Sequence, residues 1–283
     1  MPGCQHTQVH ALHRFSVGLA AAFLLAAGGA SAAPPPQGLE PARQLYNQGR
    51  YDEAIASAQR LRATPIGDAA TLLIARARLE LFRKSTDKAH LLAARQALGE
   101  IRPARLTPRD QTDYLVGLAE ALYLDDSFGP AARLFESALA RCEEAGTPTF
   151  DRVFDWWATS LDRQAQSGAG GSKEPFYEAI RDRAIIELGR MPGSTSAAYW
   201  LAASYRYLGD LTKAWDAAVA AWVGAPMADD QGRALRADID QLVLQAILPE
   251  RVRQMAPGDA ERDRVANLLR AAWDGVKRDW ANR

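Results

Sequence analysis

The sequence predicts an all-α protein built from stacked helix–turn–helix units, and three observations predict it. From residue 38 to 283 apolar side chains recur at spacings of three and four, and nowhere do they alternate every second residue as a half-buried strand requires. Helix starts are written in capping residues. The clearest is Thr107-Pro108-Arg109-Asp110, an N-cap threonine, a proline at the first helical position and an acid three residues after the cap. The third observation is that one series of small and large apolar residues returns several times along the chain, the mark of an internal repeat.

The elements follow in order. Residues 1–32 form a separate object. After Arg14 comes the short apolar run VGLAAAFLLAA (17–27), then GGASA ending in Ala30-Ser31-Ala32. That is the layout of a secretory signal peptide, with cleavage expected between Ala32 and Ala33 and a proline-rich spacer at 33–37. The run is shorter than the ~20 residues a spanning helix needs, although an uncleaved anchor stays as the alternative. Cys4 precedes the apolar run, where a lipoprotein cysteine would have to follow it. Cleavage leaves His90 as the sole histidine and Cys142 as the sole cysteine, so an internal disulfide is excluded. Arginine carries nearly all the positive charge, which points to a GC-rich bacterial genome and hence to the periplasm or the exterior.

The first unit reads Leu45, Gly49, Tyr51, Ala54, Ala58, Leu61. Helices around 71–83 and 87–99 make a second unit of open register, in which Ala89 or His90 could open the second helix. The third reads Leu115, Leu118, Ala119, Leu122, then Asp126, Phe128, Ala131, Phe135, Ala138. In the fourth, Phe154, Trp157, Ala158 and Leu161 fit a first helix. Ala179 then opens the second helix nine residues late, and SGAGGSKEP (167–175) accounts for the insertion. The fifth reads Ala198, Leu201, Ala202, Tyr205, then Gly209, Leu211, Ala214, Ala218, Ala221 and Pro226. The expected helix pairs span 40–61, 71–99, 109–141, 152–190 and 197–222, with Asp68, Ser194 or Ser196, Asp230 and Asp259 as further capping candidates. Two helices approach closely only where small side chains face each other, so Ala202, Ala214 and Ala221 set the contact, and Gly209 turns the corner in a left-handed conformation. Beyond Pro226 the repeat stops. Residues 229–248 and 258–280 each read as one helix, the latter with a stripe of Val265, Leu268, Leu269, Ala272, Trp273, Val276 and Trp280.

These series resemble the tetratricopeptide repeat, a helix–turn–helix of ~34 residues. The resemblance implies a TPR-like α-α superhelix, or solenoid, of about five repeats over 38–226, with 227–283 as C-terminal capping helices. It also implies that the first helix of each repeat lines a concave surface for an extended peptide or a partner helix. By register the partner-facing residues are Arg43, Tyr46 and Asn47 in the first repeat and Asp113, Glu120 and Tyr123 in the third. The fourth contributes Arg152, Asp155, Asp162 and Arg163, and the fifth Tyr199, Arg206 and Tyr207, which are expected to form one patch.

Other chemical signals are weak. SGAGGSK lacks the spacing of a phosphate loop and no strand precedes it. His90 and Cys142 lie in different units, so a buried structural cysteine is the better reading than a thiol nucleophile. With no His/Cys cluster, no metal or cofactor is expected. All seven tryptophans follow residue 155, mostly at core spacing, which favours packing over a sugar-binding shelf. Formal net charge is zero, so no global field recruits nucleic acid or anionic lipid. The sequence is thus read as a non-enzymatic, exported protein that binds a protein or peptide in the bacterial envelope. An all-α envelope glycan hydrolase using a carboxylate pair and a purely structural spacer remain the alternatives. Asp125-Asp126, Glu143-Glu144 and Asp229-Asp230 are acid pairs, but all sit where helix ends and turns put them.

Overall fold

The computed structural model describes residues 38–142, 147–168, 171–228, 230–256 and 258–280. The expected leader, its cleavage site and the spacer lie outside them. The described residues are helical throughout, with no strand among them, and Gly38–Arg283 form one compact unit. None of the described helices is long and apolar enough to cross a membrane.

The helices are α1 (Glu40–Asn47), α2 (Tyr51–Gln59), α3 (Gly67–Ser85), α4 (Lys88–Glu100), α5 (Pro108–Tyr123), α6 (Phe128–Cys142), α7 (Thr147–Gln166), α8 (Glu174–Arg190), α9 (Thr195–Tyr207), α10 (Leu211–Gly224), α11 (Arg233–Leu242), α12 (Leu248–Met255) and α13 (Asp259–Trp280). Each helix from α1 to α10 packs on the next in the chain. Odd-numbered helices also touch: α1 with α3, α3 with α5, α7 with α9 and α9 with α11.

Four corners share one device. Gly49, Thr86, Asp126 and Gly209 all have positive φ, at 74°, 57°, 57° and 78°, and each stands two residues before the next helix. Gly209 turns as expected. Thr86 settles the second unit's register: α4 opens at Lys88, not at Ala89 or His90. Five residues after the corner the units place Ala54, Ala131 and Ala214, all fully buried, but the second unit places Leu91. In the fourth unit α8 opens at Glu174, with Ala179 inside it, and the inserted connector turns at Gly168 and Gly171.

Caps hold the helix starts. Thr107, Ser194 and Asp210 accept backbone N–H bonds from Asp110, Ala197 and Lys213, and Asp87 does the same for α4. Asp68 and Asp259 lie inside their helices instead of before them. The Asp68 carboxylate accepts the Arg102 backbone N–H at 3.1 Å, tying the start of α3 to the end of α4. Asp230 stands two residues ahead of the N-cap Gly232 and accepts from the Gly232 and Ala234 N–H groups.

The core is a chain of clusters. One joins α1, α2 and α3 through Ala42, Ile55, Ala58 and Ile74; a second joins α3, α4 and α5 through Leu79, Leu91, Leu98 and Ala121. The largest runs from α5 to α13 and holds Phe135, Phe154, Tyr177 and Trp273. Trp157, Trp200 and Trp273 are buried and Trp156, Trp215 and Trp222 pack against this cluster, as the packing reading requires. Cys142 is a buried free thiol, and burial pushes its pKa up.

The C-terminal segment differs from expectation in two ways. The helix read at 229–248 runs on to Met255 as α11, a wide π turn at 243–247 and α12. The wide turn directly precedes Pro249, which has no N–H to give and whose ring crowds the previous turn. The stripe on α13 is only partly covered: Trp273 is fully buried, whereas Leu268 is 61% exposed.

Candidate functional site

A cleft of about 700 Å³ opens among α1, α3 and α5, closed at one side by residues of α6 and α7. Beneath it lie the buried leucines Leu39, Leu72 and Leu73. Its walls carry Arg43, Tyr46 and Asn47 from α1, Arg76 from α3, and Arg109, Asp110 and Asp113 from the first two turns of α5. Arg141 of α6 and Arg152 of α7 complete it.

Local sequence explains the placement. Arg43 and Tyr46 are three apart, as are Asp110 and Asp113, so each pair shares a helix face. Arg43 donates to Asp110 at 2.8 Å, and the Thr107 hydroxyl also donates to the Asp110 carboxylate at 2.8 Å. Arg76 pairs with Asp113 at 2.9 Å and lies 5.3 Å from the Tyr46 ring centre. The Arg76 Nε is buried with no acceptor among the described residues. Burial is the main cause that pushes the Tyr46 hydroxyl up to about 12, with the Glu120 and Glu80 carboxylates reinforcing it against Arg76 and Arg152. Tyr46 is therefore a neutral hydroxyl at any physiological pH.

The cleft carries five arginines against two aspartates. Arg43 and Arg76 are taken by those aspartates. Arg109, Arg141 and Arg152 are exposed, and Arg141 makes only a long 3.4 Å contact to Gln111. Positive charge is thus concentrated here although the whole chain is neutral.

Beyond the cleft the same helices carry a second group. Arg83 pairs with Glu80 at 2.8 Å and with Glu120 at 3.2 Å, and its guanidinium lies 4.1 Å over the Trp156 ring. The Glu120 contact is at ion-pair distance, and the buried Arg83 Nη2 has no hydrogen-bond partner among the described residues. Glu120, expected on the partner-facing surface, is instead 6% exposed. It lies inside because a carboxylate between Arg83 and Arg76 is stabilised there by their charge. Tyr123 is edge-on to Trp156 with ring centres 5.0 Å apart, and burial raises its pKa against the neighbouring Arg163.

The remaining expected residues fall along α7 and α9, and several are used internally. Asp155 accepts the Trp200 indole N–H at 2.9 Å. Asp162 accepts the Tyr177 hydroxyl at 2.8 Å, and Tyr177 stacks on Tyr207 with ring centres 4.2 Å apart. Burial first, then Asp162, drives the Tyr177 pKa upward. The Arg206 Nε lies 3.1 Å from both Glu250 oxygens, so its fork holds a carboxylate of α12. Arg206 also sits over the Tyr207 ring at 4.7 Å. Tyr199 packs edge-on to Trp200, two turns back along α9.

Of the thirteen expected residues, the structure brings Arg43, Tyr46, Asn47, Asp113 and Arg152 into one cleft. Sequence reasoning missed Arg76 and Arg83 with the second unit's register. Their spacing with Glu80, four and then three residues on α3, was a readable signal of one charged face. Arg109 and Arg141 had no such signal, because Arg141 belongs to a second helix. Among the described residues no group of three or more His, Cys, Asp or Glu side chains is placed to hold a metal ion. The chain matches no protein-family model, and no curated protein or solved structure was found to match it.

Proposed function

We propose that this chain is an exported, non-enzymatic protein of the bacterial envelope whose TPR-like superhelix binds a protein or peptide partner. One observation carries the reading: the first helices of three successive hairpins converge with Arg141 and Arg152 on an open, mixed apolar and arginine-rich cleft. A cleft over apolar side chains with a few convergent polar groups is how recognition sites are built. Tyr46, Arg76 and Arg152 are residue types that dominate binding energy at interfaces. The reading against catalysis rests on the same residues. Asp110 and Asp113 are each engaged by an arginine of the fold, Arg43 and Arg76, whereas a glycosidase needs a pair of acids turned to the sugar. Export rests on the apolar run and Ala30-Ser31-Ala32 alone.

The test is affinity capture from the native cell with a C-terminal tag on the full chain, alongside N-terminal sequencing of the bait. The expected result is a bait that begins at Ala33 and a protein enriched over a tagged, unrelated envelope protein. A bait beginning at Met1 in the cytoplasm refutes the export. Lack of any enriched protein after crosslinking refutes partner binding and leaves a spacer.

A further inference from the structure

We propose that the α1/α3/α5 cleft selects an acidic, extended peptide segment, with Arg109, Arg141 and Arg152 as its anchors; this rests on the partner-binding reading above. The argument begins with what the cleft does to its own acids. Two carboxylates, Asp110 and Asp113, already sit in it, each bonded to one arginine at 2.8–2.9 Å. Those pairs satisfy Arg43 and Arg76 and leave the other three guanidinium groups without a carboxylate among the described residues.

Three like charges around one hollow repel one another, and folding alone gives no reason to gather them there. A ligand that brings carboxylates removes that repulsion and offers each planar fork a two-pronged acceptor. Arg109 stands at the start of α5, Arg141 at the end of α6 and Arg152 on α7, so three elements present charge to one cleft. A ligand that reaches them together has to be extended and to carry several separated acidic groups, as a run of glutamates does. The lining also shows apolar carbon, chiefly the half-buried Tyr46 ring and Pro108, which favours a peptide with carbon of its own over a bare polyanion.

The probe is a fluorescein-labelled hexaglutamate peptide, with hexaglutamine, a phosphoserine hexapeptide and a heparin fragment as comparisons, titrated by anisotropy into the full processed chain. Hexaglutamate is expected to bind, with affinity falling as salt rises; hexaglutamine is expected not to bind. Replacing all three exposed arginines by glutamine is expected to weaken hexaglutamate at least about tenfold. The thermal melt should not fall, because none of the three is buried and their mutual repulsion is removed. The inference is overturned if hexaglutamate fails to bind, if the triple variant binds it as well as the parent, or if heparin or the phosphopeptide binds more tightly. A captured envelope protein that binds parent and triple variant equally would keep the partner-binding reading and defeat only this one.

Discussion

Replacing Trp273 by alanine should release α13 without unfolding the rest of the molecule. Trp273 is the only fully buried side chain described in that helix. Its ring meets Trp215 and Trp222 edge-on, at 5.8 and 5.5 Å between centres, and its indole N–H donates to Asp240 at 2.7 Å. A tryptophan buries about 200 Å² of mostly apolar surface, which at about 25 cal/mol per Å² is worth about 5 kcal/mol at most. Lys277, on the same helix, lies 2.9 Å from Asp240 in the parent, so the carboxylate keeps a partner for as long as α13 stays docked. A net loss of about 3–5 kcal/mol agrees with core aromatic truncations. It should raise the undocked population by about two to almost four powers of ten. Hydrogen exchange read by mass spectrometry on the full chain is the assay. Amides of 259–280 should exchange faster by about that factor, while α3, α5 and α7 keep the parent's protection. Trp273→Phe should recover part of the effect, since the ring returns without the N–H. Uniformly lost protection in both regions would refute the reasoning, because Trp273 would then belong to the global core. Unchanged exchange in 259–280 would refute it from the other side.

Three other outcomes are expected. Thr86→Gly should raise stability by about 0.5–1 kcal/mol in a thermal melt, because a β-branched residue at φ 57° is strained where glycine is not. Ala214→Trp should destabilise by about 1–3 kcal/mol, since Ala214 is fully buried where α9 and α10 meet; a neutral melt would contradict the close helix contact. The Tyr46 hydroxyl is held at about 12 against an ordinary value of 10, so the unfolded chain loses this proton first as pH rises. Its contribution is complete below about pH 10 and drains away towards pH 12, and Tyr46→Phe should flatten urea-melt stability over that window by about 2 kcal/mol relative to the parent.

The parts legible in the sequence are those set by local chemistry. Gly209 and the alanines five and nine residues after it announce a corner and a close contact, because few residue types suit either place. Thr107-Pro108 announces a helix start for the same reason. The second unit hid its register because Thr86 stands where glycine is expected and Leu91 where alanine is. Both are tolerated only through tertiary context: the Thr86 N–H bonds back to Phe82 at 2.7 Å, and Leu91 fits a cluster with Leu79 and Leu98. At the site, register found the cleft residues of α1, α5 and α7. It had no means to judge Glu120 or Arg206, since each is committed to a partner distant in sequence, Arg83 and Glu250.

Those commitments give the molecule a polarity. Towards the C-terminal end the side chains expected to face a partner are already answered from within: Arg206 by Glu250, Asp162 by Tyr177, Asp155 by Trp200. Each such pair fixes the relative position of two helices, as a buried or half-buried polar pair does when either partner alone would be costly. At the N-terminal end the pairing is incomplete. Arg43 on α1 reaches past α3 to Asp110 on α5, and Arg76 links α3 to Asp113, which together lock three helices into the walls of the cleft. The locking uses both available aspartates and leaves the outer arginines over. Rigid walls with leftover charge are a better recognition surface than a fully neutralised one, because a ligand gains the attraction without first breaking an internal pair. The same comparison explains why Arg206→Ala should act on stability, through the stranded Glu250, whereas Arg152→Ala should leave the melt alone.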